Sequence, residues 1–121
     1  MDEDCLEYRL SADSSRAIAY LSDGTEVVFR SLTEDEGEML ARIRESGDSI
    51  EVRGVTLPND SLLLITAIPA VVISPPNILD VLMGKLEREQ IAQREVVELY
   101  NAILDFSVKS GLTKLMDLRR N

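Results

Sequence analysis

The stretch from Arg16 to Arg30 limits what this chain can fold into more than any other part of it. Two short, largely apolar runs, Ala17–Ser22 and Thr25–Arg30, flank Asp23-Gly24. That dipeptide supplies the two positive-φ residues of a type I′ turn, so the stretch predicts a tight β-hairpin. Counting back from the turn pairs Ser22 with Thr25, Tyr20 with Val27 and Ile18 with Phe29. In that register Ile18, Tyr20, Val27 and Phe29 share a bulky apolar face, while Ala17, Ala19, Leu21, Glu26, Val28 and Arg30 form a smaller, mixed one. A slip of one residue would turn the aromatic pair outwards. The apolar face needs a cover, and helical segments downstream are the candidates for it.

Around the hairpin, Cys5–Leu10 alternates as a strand able to add to its edge, with Ser11–Ser15 as the connection. Thr33 and Glu36 have capping-box spacing, and Glu34, Asp35 and Glu36 suit the positive end of a helix dipole. A helix is expected from there to about Glu45, with Met39, Leu40 and Ile43 buried and Ser46-Gly47 as its stop. Ile50–Val52 and Val55–Leu57 read as strands. Ser61–Ile68 is a continuous apolar run read as a buried strand, with a buried helical turn as the competing reading. The predicted class is α+β: a small, mostly antiparallel sheet (the amino-terminal hairpin plus strands near 50–57 and 61–68) with one packed helix, followed by a helical carboxy-terminal third.

Pro69 and Ser74-Pro75-Pro76 mark a hinge, dividing an acidic α+β part (1–73) from a helical extension (77–121) that packs on it or on another subunit; a single structural domain is the other arrangement. From Asn77 to about Ser107 there is no proline, and the composition favours one helix of about 45 Å at 1.5 Å per residue. Leu79, Leu82 and Leu86 form one apolar stripe and Val96, Tyr100 and Ile103 another, with Leu99 and Phe106 beside the second. The polar middle, Glu89, Gln90 and Gln93, is solvated, or the helix bends or breaks there or at Gly84 and folds back as two helices. Ser110-Gly111 ends it, and Leu112–Arg120 reads as a last short helix.

The 121 residues are enough for one core without disulfides or a structural metal, and the single Cys5 forms no internal bridge. The amino terminus lacks the basic and apolar regions of a signal peptide, and the Leu62–Ile73 run is too short to span a bilayer. A cytoplasmic protein that does not enter membranes is expected. Residues 1–60 hold fifteen acidic residues against six arginines, so the whole net charge of −9 lies in that half. Such a field repels nucleic-acid phosphates and anionic membranes.

Catalytic chemistry finds little to stand on. There is no histidine, and no CxxC pair, phosphate-binding loop or nucleophile elbow occurs. Acidic neighbours disfavour a Cys5 thiolate. The cluster Glu34, Asp35, Glu36 and Glu38 leaves a carboxylate or magnesium activity as the remaining option, but helix capping explains it; Asp48 with Asn59-Asp60 is weaker still. A non-enzymatic protein with no cofactor and no metal site is expected.

Three functions follow from the surfaces. The first is an interaction or assembly protein, homo-oligomeric through Leu79, Leu82, Leu86, Val96, Leu99 and Ile103. The second is an acidic inhibitor or nucleic-acid-mimicking decoy that presents Glu34, Asp35 and Glu38 to a basic groove on another protein. The third is a small-molecule binder with a pocket at a subunit interface. As an acidic strand-helix-strand module with a helical tail, the chain is similar to many small phage-encoded or mobile-element accessory proteins. That likeness implies an assembly factor or a host-directed inhibitor.

Overall fold

In the computed structural model, which describes residues 5–46, 50–52, 55–57 and 59–112, the hairpin consists of β2 (Ala17–Tyr20) and β3 (Glu26–Phe29). Its register is one residue away from the tight-turn expectation: Ala17 pairs with Phe29, Ile18 with Val28, Ala19 with Val27 and Tyr20 with Glu26. The cause lies in the turn. Leu21 N–H donates to the Thr25 carbonyl and Gly24 N–H to the Leu21 carbonyl, each at 2.9 Å, which closes a longer loop of Ser22, Asp23 and Gly24. Gly24 has φ +92°. Asp23 has no positive φ, and its Oδ1 accepts the Thr25 N–H at 3.1 Å. A turn followed by one left-handed glycine is the next commonest hairpin closure, and it swaps the faces of β2 relative to β3. Ala17, Ala19, Leu21, Val27 and Phe29 therefore point inwards and are buried, while Tyr20 turns outwards and is 48% exposed.

β1 (Tyr8–Leu10) adds antiparallel to β2 as its sequence alternation predicts. The opposite edge is β6 (Val72–Ser74), which pairs antiparallel with β3 across a bulge and completes the order β1-β2-β3-β6. β4 (Ile50–Val52) and β5 (Val55–Leu57) form a separate antiparallel pair. The expected strand at 61–68 is instead part of helix α2 (Asn59–Val71). Burial follows the helical period there: Leu63, Ala67 and Val71, four residues apart, are buried, and Ile68 joins them. An apolar run hides its period when the flanking positions are also apolar and half-buried. Pro69 lies inside the helix, two residues before its end, and gives up the N–H that would reach the Ile65 carbonyl.

The carboxy-terminal carbonyls of α2, which lack intrahelical donors, are served by one arginine. Arg30 N–H donates to the Val71 carbonyl at 3.1 Å, and its Nη2 donates to the Ala70 carbonyl at 2.8 Å. The same guanidinium forms a bidentate pair with Glu36 at 2.9 and 3.0 Å. Glu36 in turn closes the capping box of α1 (Glu34–Ser46), accepting Thr33 N–H at 2.9 Å while Thr33 Oγ1 accepts Glu36 N–H at 3.2 Å. Exit of β3, start of α1 and end of α2 thus meet on one ion pair. Along α1, Leu40 is buried as expected, while Ile43 is only half-buried and Met39 is 48% exposed.

The expected long helix is two, α3 (Ile78–Glu87) and α4 (Gln93–Lys109). Glu89 takes φ +57°, Gln90 N–H donates to the Lys85 carbonyl at 2.8 Å and Glu89 N–H to the Leu86 carbonyl at 3.1 Å. This is a Schellman stop with glutamate where glycine is usual, and the buried Ile91 just beyond it anchors the break. α4 ends in the same motif, with Gly111 at φ +120°, Leu112 N–H on the Ser107 carbonyl and Gly111 N–H on that of Val108, each at 3.0 Å. The helix expected at 112–120 lies outside the described residues beyond Leu112.

Helix α4 is the centre of the core. Leu99, Tyr100, Ala102, Ile103, Leu104 and Phe106 are all buried in one cluster with the inner sheet face, α2 and α3, so the cluster draws on both sides of the proline hinge. Phe106 meets Tyr8 and Phe29 in a three-way edge-to-face arrangement with ring centroids 5.8–6.2 Å apart. Small Ala17 and Ala19 on the same sheet face leave room for these rings. The buried Ser107 hydroxyl is fully used: it donates to the Ile103 carbonyl and accepts Leu32 N–H, each at 2.8 Å.

Candidate interaction surfaces

The residues expected to carry association separate into two groups. Leu82, Leu99 and Ile103 lie inside the chain's own core, at 2% exposure or less, where they hold α3 and α4 against the sheet and α2. Leu79, Leu86 and Val96 are half-buried. On α3, Ile78 and Leu82 point into the core, so the flank beside them carries Leu79, Met83 and Leu86 at i, i+4 and i+7. Met83 is 57% exposed and sits between the two leucines. Periodicity placed the leucines but passed over Met83, which falls just off the stripe that faces the core.

Glu34, Asp35 and Glu38 are exposed on the first turns of α1. Among the described residues they form no ion pair, in contrast to Glu36, which Arg30 holds below its ordinary pKa. The described residues contain no group of three side chains able to hold a metal ion, and no helix among them is long and apolar enough to cross a membrane.

A third surface was not foreseen. An open groove runs between the β1 segment and the end of α4, lined by Cys5, Leu6, Glu7, Tyr8, Leu10, Asp105 and Lys109. Tyr8 Oη donates to Asp105 Oδ2 at 2.7 Å, and Lys109 pairs with the same carboxylate at 3.0 Å while its ammonium stands 5.6 Å from the Tyr8 ring centre. Burial, then the Asp105 hydrogen bond and charge, raises the pKa of Tyr8 above its ordinary value. Cys5 Sγ rests against the Leu6 carbonyl at 3.4 Å. The segment is pinned to the helix by Leu6 N–H on the Glu98 carbonyl at 3.1 Å. The alternation of residues 5–10 signalled the strand, but nothing local connects Tyr8 to Asp105, 97 residues away.

At the other end of the sheet the hairpin tip is clasped by both carboxy-terminal helices. Glu95 accepts Ser22 N–H and Ser22 Oγ–H, each at 2.7 Å, and Lys85 pairs with Asp23. Hydrogen bonds from Lys85 and Thr25 hold Asp23 down at about 2, and those from Ser15 and Ser11 hold Asp13 at about 2. Both values, and that of Glu36, are depressed on folding, so their stabilisation is complete above the unfolded carboxyl range and is lost as protons bind on acidification. Unfolding followed by circular dichroism should give a constant midpoint from neutrality down to about pH 5, then a steady fall towards about pH 2. Tyr8 has the opposite sign: its raised pKa adds stability below about 10 that is lost as the pH climbs further. A midpoint that rises on acidification would contradict this reading.

No protein-family model matches the chain, and neither does any of the curated proteins or solved structures compared with it.

Proposed function

We propose that this is a non-catalytic assembly protein that associates with copies of itself through the exposed flank of α3. The observation that carries this reading is Met83, the most exposed large apolar side chain among the described residues, set between half-buried Leu79 and Leu86 so that the three form one continuous apolar strip. A two-fold pairing of α3 helices is the most economical way to cover it, because one patch then meets itself. The half-buried Val96 on α4 belongs to the earlier association set and is a secondary contributor. In this assembly the acidic first turns of α1 face solvent and keep the particles apart by charge.

Absolute mass by light scattering at low and high salt tests the reading. A discrete multiple of the 13.5 kDa chain that persists at high salt is the expected result. Met83→Asp should return the protein to a folded monomer with its far-UV circular dichroism unchanged, because the side chain is exposed within the single chain. A wild-type monomer at all concentrations would end the proposal. The inhibitor reading is favoured by one observation, the unpaired Glu34, Asp35 and Glu38; it requires a complex with a basic protein that dissociates as salt rises.

A further inference from the structure

The two edges of the four-stranded sheet are built differently. β6 is followed at once by Pro75 and Pro76, which offer no N–H, and its pairing with β3 is bulged; both features discourage a further strand. β1 carries no proline and no bulge, and its one charged side chain, Arg9, is engaged by Tyr20 and Glu26 on the neighbouring strands. The pairing also shows which of its backbone groups are free. Ser11 N–H donates to the Arg16 carbonyl at 2.9 Å, so in the antiparallel ladder Ser11 and Arg9 direct their N–H and C=O groups towards β2, and Tyr8 and Leu10 direct theirs away. Leu6, next in that outward series, uses its N–H on the Glu98 carbonyl. Tyr8 and Leu10 have no such backbone partner among the described residues, and Leu10 is 47% exposed.

Beside this edge lies the groove with Leu6 and Leu10 as its apolar lining, Glu7 at its rim and the Asp105–Lys109 pair at its far wall. We propose that β1 accepts an extended segment of a different polypeptide as a fifth strand, with an apolar side chain of that segment in the groove and a basic one near Glu7. Free groups in alternate register are the complement of an extended backbone and of nothing else as simple, which identifies the occupant's conformation. Its charge follows from the groove: Glu7 is unpaired by the neutral Asp105–Lys109 couple, and the half of the chain that supplies β1 carries the whole net charge of −9. With only two residues free for pairing, the contact is of the weak, transient kind. This site is separate from α3 and does not depend on self-association.

The test uses the full chain and a library of short displayed linear peptides, with the enriched sequences then synthesised and titrated by two-dimensional amide NMR. Enriched peptides should alternate apolar and polar residues, carry net positive charge, and shift the amides of Tyr8 to Leu10 together with Asp105 and Lys109. Leu10→Pro removes the outward N–H and leaves the Arg9 ladder bonds, so it should weaken binding by about tenfold or more at an unchanged thermal midpoint. Leu10→Lys keeps the donor but sets a cation in the groove, and should also weaken a cationic peptide. Leu10→Ala keeps the N–H and loses only part of the groove lining, so it should weaken binding clearly less than Leu10→Pro. Failure to enrich any peptide, shifts confined to other surfaces, or equal losses for Leu10→Pro and Leu10→Ala would overturn the proposal. A drop in the protein's own mass on Leu10→Pro would overturn it too, by showing that a second copy occupies the edge.

Discussion

Ile103→Asp should abolish the folded state rather than dissociate an assembly. The side chain is wholly buried within α4, and the described core offers no cation to pair with a new carboxylate there. Stranding a charge in that environment costs several kcal/mol, and loss of the isoleucine's own burial adds about 2–3 kcal/mol. Together these approach the whole stability of a domain this size, about 5–15 kcal/mol. Far-UV circular dichroism should show loss of structure and a broad or absent thermal transition. Set against Met83→Asp, which should alter mass and leave folding intact, the pair separates residues that hold the chain together from those available to a neighbour. A folded, monomeric Ile103→Asp protein would mean that α4 faces a partner rather than its own sheet.

The second large effect is expected at Phe106. Its ring touches both Tyr8 and Phe29, which come from two different strands of the sheet. Phe106→Ala removes those contacts and leaves a void that backbone packed on all sides cannot fully close, at a cost of about 3–5 kcal/mol. Denaturant unfolding should show a lower midpoint with an unchanged slope. The effect should be less than additive with Tyr8→Ala, because the edge-to-face pair, about 0.5–1.5 kcal/mol, is lost only once. Additive losses would mean that the rings stabilise the fold independently.

These expectations mark what could be read from residues alone. The capping box at Thr33 and Glu36, the strand at Tyr8–Leu10 and the stop at Ser110-Gly111 depend on neighbours within a few positions, and each is present. The hairpin was legible as a hairpin, but its register turned on whether Asp23 or only Gly24 enters the left-handed region, a choice for which Asp-Gly is ambiguous. Ser61–Ile68 defeated pattern reading because apolar residues fill the half-buried flanks as well as the buried stripe. The break at Glu89 could be read only as an alternative to one long helix, because good helix formers lie on both sides; tertiary anchoring of Ile91 overrode their propensity. The groove was invisible because it is made by two segments almost a chain length apart. Of the association residues, periodicity found the stripes and could not say which of them the chain would use internally.

The clasp on the hairpin tip has a consequence in time. Ser22 waits for Glu95, Leu6 for Glu98, Leu32 for Ser107 and Tyr8 for Asp105. On a ribosome, which emits the amino terminus first, the hairpin emerges early and has nothing to lie on until α4 follows it out. Val27 and Phe29 then remain wet until α4 is made, and a message cut short before α4 would release a chain with its sticky sheet face uncovered. A segment made later is the one that completes an earlier one.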